Sequence, residues 1–193
     1  FAVRVITGNG VMTAKEVEAV SKAAATFGAG KVAFTSRLTV EIMDVPHENL
    51  SGLLDALHEA GLETGGTGAK VRPVVACKGT YCVFGLCDTQ GLAQEIHDTF
   101  YKGWRAAKLP HKFKIAVGGC PNNCMKPDLN DVGLIGARMP RVNLDVCRGC
   151  KKCAVEPVCV PQSARLADGK MHIDSAKCVM CGKCIAKCPF GAI

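Results

Sequence analysis

Residues 111–124, His-Lys-Phe-Lys-Ile-Ala-Val-Gly-Gly-Cys-Pro-Asn-Asn-Cys, bring two cations and two thiols into one short run. Lys112 and Lys114 alternate with Phe113 and Ile115, a period of two that predicts a strand with both lysines on one face. Glycines then turn the chain into a CxxxC pair, Cys120 and Cys124. Thiolates hold iron-sulfur clusters, and lysines leading to them offer positive charge to an anion or to a carboxylate-bearing cofactor. The combination points to redox chemistry on an anion. The plainer reading is a pair of buried structural cysteines beside a solvated Lys-x-Lys.

Cysteine spacing organises the rest of the chain. Cys77 and Cys82 precede the run as a CxxxxC pair, with Cys87 as a rival second ligand. Near the other end, Cys178, Cys181, Cys184 and Cys188, followed by Pro189, form CxxCxxCxxxCP. In that spacing one loop supplies three corners of a 4Fe-4S cube and sends its fourth thiolate to another cluster. Cys147, Cys150, Cys153 and Cys159 repeat the pattern with a longer last step. Zinc is the alternative for cysteine quartets, but its sites rarely use three close steps with a fourth cysteine before proline.

These motifs resemble the siroheme-dependent sulfite and nitrite reductases, most closely the anaerobic and dissimilatory-type sulfite reductase subunits, joined to a two-cluster bacterial ferredoxin. The resemblance implies a 4Fe-4S cluster on Cys77, Cys82, Cys120 and Cys124, with Cys124 also ligating the siroheme iron. Cys82 is preferred over Cys87 because Asp88-Thr89 aligns with an Asp-Thr of the family, which leaves Cys87 spare. Arg37, in Thr35-Ser36-Arg37, together with Lys112, Lys114 and Arg4, would bind the oxyanion and relay protons. Arg4 is the weaker match. Thr35, Arg37, the loop around Gly65, Gly66 and Thr67, Arg72 and Asn122 would hold siroheme; a flexible linker is the other reading of that glycine loop. If the ferredoxin exchange applies, Cys147, Cys150, Cys153 and Cys188 bind one cluster, and Cys178, Cys181, Cys184 and Cys159 the other.

The function so implied is reduction of sulfite to sulfide, electrons passing from the ferredoxin clusters to a siroheme-coupled cluster. Nitrite reduction is the alternative within the class, and a non-catalytic electron-transfer subunit without siroheme is the alternative outside it. Expected partners are sulfite or nitrite, an electron-donor protein such as a ferredoxin or reductase subunit, and a second copy or related subunit, since the family's second siroheme repeat is lacking.

Composition sets the bounds. The 193 residues carry 13 cysteines and are 48% hydrophobic, a globular range, without an apolar run of membrane-spanning length. Thirteen cysteines in CxxC-type spacings argue for metal in a reducing cytoplasm rather than for disulfides. The formal charge of +7 invites a nucleic-acid reading. Three clusters, each of net charge about −2 with its four thiolates, would bring the chain near neutrality. At 5%, aromatic residues leave little to stack bases with.

Periodicity predicts the elements that position these groups. A strand over 1–6 leads through Gly8-Asn9-Gly10 to a helix capped by Thr13 and Glu16, with Val17, Val20, Ala24 and Phe27 on one face. Strands follow at 31–36 and 38–43, a helix at 48–60, a short strand at 71–76, a helix at 88–104 and a strand at 132–137. The expected fold class is α+β: a siroheme-type sulfite reductase unit, a mixed sheet with helices, plus a small two-cluster ferredoxin domain. The expected boundaries are 1–62 for a ferredoxin-like half, 63–142 for the siroheme and cluster-binding domain, and 143–193 for the ferredoxin. None of the five histidines has paired ligand spacing, and His111 alone lies close enough to the lysines to serve as a proton donor.

Overall fold

A computed structural model describes residues 1–193, and the chain divides into two compact units. One comprises Phe1–Gly119 and Asn123–Ile135, the other Cys120–Asn122 and Gly136–Ile193. The Cys120–Cys124 motif is therefore divided between them.

In the first unit the alternation at the amino terminus becomes β1 (Val3–Val5), with Val3 and Val5 buried and Arg4 between them half-exposed. Asn9, in the left-handed region, turns the chain, and Gly8 pairs with Val11 across the turn. Helix α1 (Ala14–Phe27) starts on the expected capping box: the Glu16 N–H donates to the Thr13 hydroxyl, and the Glu16 carboxylate accepts the Thr13 N–H. Such a cap contributes about 1 kcal/mol. Two further strands, β2 (Val32–Phe34) and β3 (Val40–Ile42), complete an antiparallel sheet in the order β1-β3-β2, with Arg4 opposite Glu41. Helix α2 (Leu50–Glu59) follows a short 3-10 turn. Its Leu53 and Leu57 join Val20, Ala24, Val5 and Ile42 in one buried core.

A second sheet in this unit is parallel. It consists of β4 (Val75–Ala76), β5 (Ile115–Gly118) and β6 (Val132–Ile135), in that order. The strand expected over 71–76 is cut short because Pro73 has no N–H for the ladder, and Val71 makes a single bridge to Phe113 instead. Strand β5 corrects another expectation: it begins after the lysines. All four of its residues are buried between β4 and β6, so it reads as a continuous apolar run, while Lys112 is exposed and outside the ladder. The helix expected over 88–104 is α3 (Thr89–Ile96), whose N-cap Asp88 accepts the Gly91 N–H, and it continues as a π-helical turn, His97–Lys102.

The second unit is loop-rich. Its only sheet is the hairpin of β7 (Ala164–Ala167) and β8 (Lys170–Ile173), which the sequence reading did not anticipate. Asp168 and Gly169 both have positive φ, the pair of left-handed residues that a two-residue hairpin turn needs. Its small core joins Val155, Ala164 and Met171 to half-buried cysteines.

Candidate metal centres and anion site

The second unit contains two cavities, each lined by four cysteines. Cys147, Cys150 and Cys153 share one with Cys188. Cys178, Cys181 and Cys184 share the other with Cys159. Each cavity thus has three sulfurs from one loop and a fourth from the other loop's final cysteine. Nowhere do three or more cysteine, histidine or carboxylate side chains converge on the position of a single ion. Sulfurs spread around a cavity suit a multi-iron cube, each iron taking one thiolate, better than a lone tetrahedral zinc.

The local chemistry fits thiolates. N–H groups point at sulfur: Met171 to Cys147, Ala164 to Cys159, Met180 to Cys178 and Ala192 to Cys188, at 3.3 to 3.4 Å. N–H donation from Gly149 and Met171 holds the Cys147 thiol below its ordinary pKa. Burial works to raise Cys159, but the Ser163 hydroxyl and neighbouring N–H groups outweigh it, and the thiol is lowered. Cys184 is raised, first by burial and then by repulsion from Cys181 and Cys178. Sulfurs crowded closely enough to repel one another as thiolates call for a cationic core between them.

In the first unit, Cys77 leaves β4 and its sulfur accepts the Gly119 N–H at 3.1 Å. Gly119 also accepts the Leu86 N–H, while Gly85 donates to Cys82 and Cys82 to Gly79. These bonds knit the Cys77–Cys82 loop to the strand end that leads into Cys120. Contact is close because glycine meets glycine: a Cβ on Gly119 would stand 2.9 Å from the Gly79 Cα and 3.4 Å from the Cys77 sulfur. The Thr89 hydroxyl and the Gln90 amide fasten the Cys77 carbonyl. Cys82 is half-buried and Cys124 exposed. Cys87 is half-buried in the same loop.

Three arginines from separate elements gather in this unit. Burial lowers the pKa of Arg37, and the nearby Arg72 lowers it further. Burial likewise lowers Arg72, with Arg4 adding to the effect. Arg37 donates to Asn130 Oδ1 at 2.6 Å and to the carbonyls of Pro73 and Ile115, which fixes its guanidinium at the amino ends of β4 and β5. Its buried Nε has no partner. Arg4 forms a two-nitrogen contact with Glu41 across β1 and β3. Arg72 reaches the Gly68 carbonyl at 3.3 Å. Arg72, repelled by both Arg37 and Arg4 and without an acid partner, makes this cluster fit an anionic group.

The remaining expected site residues frame this cluster. The Thr35 hydroxyl accepts the Arg37 and Thr39 N–H groups and so shapes the turn that carries Arg37. The Gly65 N–H donates to the Arg4 carbonyl. Gly66 needs to be glycine: its φ is +69°, and a Cβ would lie 2.6 Å from the Pro73 ring. Thr67 and Asn122 are exposed, as are Lys112 and His111, and Lys114 is half-buried with its N–H on Asp131. The sequence reading passed over Glu41, Asn130 and Asp131, which hold or balance these cations; loop acids and amides carry no spacing signal that could have found them.

Residues 67–172 match the family described as Nitrite and sulphite reductase 4Fe-4S domain, residues 1–60 the Nitrite/Sulfite reductase ferredoxin-like half domain, and residues 171–193 a 4Fe-4S binding domain. The matches define an iron-sulfur oxidoreductase. The chain belongs to the nitrite and sulphite reductase family, whose principal domain covers more than half of it.

Among its relatives are the coenzyme F420-dependent sulfite reductase of Methanocaldococcus jannaschii, 39% identical over 125 residues, and an anaerobic sulfite reductase subunit from Salmonella typhimurium, 27% identical over 164. The NADH nitrite reductase large subunit of Escherichia coli is 40% identical over 102 residues. The matches take in 64%, 75% and 52% of this chain but 20%, 45% and 12% of those proteins, so it spans less than half of each. The crystal structure of dissimilatory sulfite reductase I superposes with a TM-score of 0.72 at 21% identity, over 97% of this chain and 50% of that one. That likeness is one of fold.

Proposed function

We propose that this chain is the sulfite-reducing part of a siroheme and iron-sulfur oxidoreductase, with three 4Fe-4S clusters. The convergence of Arg4, Arg37 and Arg72 in the unit that carries the Cys77–Cys82 loop is the observation that supports it best. A pure electron carrier has no use for three half-buried guanidinium groups of which Glu41 pairs with Arg4 alone.

Siroheme, when bound, supplies an iron that takes the substrate's sulfur and delivers electrons to it. The chain's own groups do the rest. Cys77, Cys82, Cys120 and Cys124 would hold the adjacent cluster, and Cys124 would also serve the siroheme iron. Arg72 and the Gly65–Thr67 loop, with Thr35 and Asn122, receive carboxylates. Arg37, and Arg4 once released from Glu41, would lend positive charge to the oxyanion, which favours the electron-rich transition state. Lys112 and Lys114 add charge and carry protons to departing oxygen.

These lysines, and Arg37 with them, stand at the amino end of β5, whereas the cysteine loop leaves its carboxyl end, about 13 Å away at ~3.3 Å per residue over four residues. In our reading they therefore serve a centre assembled with a second copy or a related subunit. Light scattering that finds a monomer at full siroheme occupancy would remove that part of the proposal. Electrons arrive through the ferredoxin clusters, in an anaerobic cytoplasm; no helix is long and apolar enough to cross a membrane.

The optical spectrum of anaerobically purified protein tests the central claim. Siroheme bands and turnover of sulfite support it, and their absence with intact clusters leaves an electron-transfer subunit. Nitrite reduction is the second reading, favoured by the 40% identity to a nitrite reductase subunit. Turnover that strongly prefers nitrite would select it.

A further inference from the structure

Exposed cations crowd the first cysteine loop of the second unit. Arg148 stands between Cys147 and Cys150, Lys151 and Lys152 between Cys150 and Cys153, and Lys187 immediately before Cys188. All four are exposed, and none forms an ion pair. Two of them, Arg148 and Lys152, line the cavity of Cys147, Cys150, Cys153 and Cys188, Lys151 and Lys187 adjoin its cysteines in the chain, and no acidic residue lines it. The other cavity has Lys183 on its wall and the Arg138 side chain packed beside Gly182, while Lys177 next to Cys178 is paired with Asp174 at 3.8 Å.

Arg148 and Lys152 themselves line the first cavity, next to Phe190. The Arg148 guanidinium lies 4.5 Å from the centre of the Phe190 ring, and that ring is 40% exposed. An arginine stacked on an exposed aromatic is the composition of an interface anchor, and the lysines around it form a charged rim. A cube with four thiolates has a net charge of about −2, so four cations exceed what it needs as counter-ions. The surplus faces solvent.

We propose that this face docks a small acidic electron-carrier protein, and that electrons enter the chain at the cluster held by Cys147, Cys150, Cys153 and Cys188. The step is a single electron transfer: the reduced carrier is oxidised by one electron and the cluster is reduced by one, with no bond made or broken. Positive charge over the cluster draws the acidic carrier in and raises the rate of encounter, an effect that weakens with salt. A nucleic acid fits less well, because the cations on this face stand beside a single aromatic ring, Phe190, rather than interleaving with several. The proposal rests on the two-cluster reading of this unit.

The test uses the full chain with its clusters in place, confirmed first by iron content and by the electron paramagnetic resonance signal of the reduced clusters. Lack of those signals would defeat the cluster reading itself, independently of docking. Stopped-flow reduction by a reduced acidic bacterial ferredoxin is then followed as a function of salt, beside reduction by photoreduced deazaflavin. Lys151→Glu with Lys152→Glu should slow the ferredoxin reaction at least tenfold at low salt and flatten its salt dependence. Deazaflavin reduction should be unchanged. Lys15→Glu on α1 with Arg165→Glu on β7 changes the net charge equally and should leave both rates near wild type.

Docking is refuted if both double variants slow the ferredoxin reaction alike. It is also refuted if the loop variant shifts the cluster potential while keeping the wild-type salt slope, since the lysines would then be counter-ions only. Binding of a short DNA duplex that is lost in the loop variant, with ferredoxin kinetics unaltered, would overturn the proposal in favour of nucleic acid.

Discussion

Replacing Gly119 by alanine probes the joint between the Cys77–Cys82 loop and the end of β5. The new Cβ would lie 2.9 Å from the Gly79 Cα, 3.1 Å from the Thr89 methyl and 3.4 Å from the Cys77 sulfur. Its nearest neighbour is backbone, which cannot rotate away, so one loop must shift by several tenths of an ångström. Overpacking of this kind costs about 1–3 kcal/mol, and here it also loosens the N–H bond from Gly119 to the Cys77 sulfur. The expected result is a lower urea midpoint with unchanged slope, together with loss of roughly one cluster's iron per chain after reconstitution. Gly85→Ala should be worse, because its Cβ would fall 1.9 Å from the Gly79 carbonyl oxygen. Wild-type iron content and stability in Gly119→Ala, or a milder effect in Gly85→Ala, would show that glycine contact does not set this loop.

Further expectations follow from the same geometry. Arg37→Met leaves Asn130 Oδ1 and the carbonyls of Pro73 and Ile115 without their donor, and urea unfolding should register a loss of about 1–3 kcal/mol; Arg37→Lys, lacking the planar fork, should recover only part of it. Cys188→Ser should remove the electron paramagnetic resonance signal of the Cys147, Cys150, Cys153 cluster before that of the other, and the reverse order would refute the pairing of loops. His97 is buried with an unpartnered Nδ1, and burial followed by the nearby Lys102 depresses its pKa. The unfolded chain, whose histidine titrates near 6.5, therefore binds the proton more readily, and stability present above about pH 6.5 is lost as the pH falls below it. His97→Phe, which keeps an aromatic ring against Tyr101, should flatten that decline in thermal melts recorded from pH 7.5 to 5.5.

The elements set by local chemistry were readable in advance, and those set by neighbours were not. Thr13 and Glu16 announce the first helix because their bonds lie within one turn of the chain. Lys112 and Lys114 suggested a strand by alternation, yet the ladder begins at Ile115, because a strand flanked on both sides needs apolar residues on both faces. Pro73 explains the shortened β4, a signal visible in the sequence and underweighted. The β7–β8 hairpin also had a sign, Asp168-Gly169 between alternating residues, which the cysteine pattern overshadowed. At the site, cysteine spacing carried its information openly, whereas the balance of charge around Arg4 and Arg37 depends on Glu41, Asn130 and Asp131. Their roles come from sheet register and loop packing, which no single stretch of sequence encodes.

Each cysteine triplet in the second unit is completed by a sulfur belonging to the opposite loop. In the proposed two-cluster arrangement each loop would need its neighbour's last cysteine to close around iron, so maturation of the two centres would be coupled. Damage would follow the same route: oxygen that strips one centre leaves the last cysteine of its neighbour's loop without iron, and the second centre should weaken after the first.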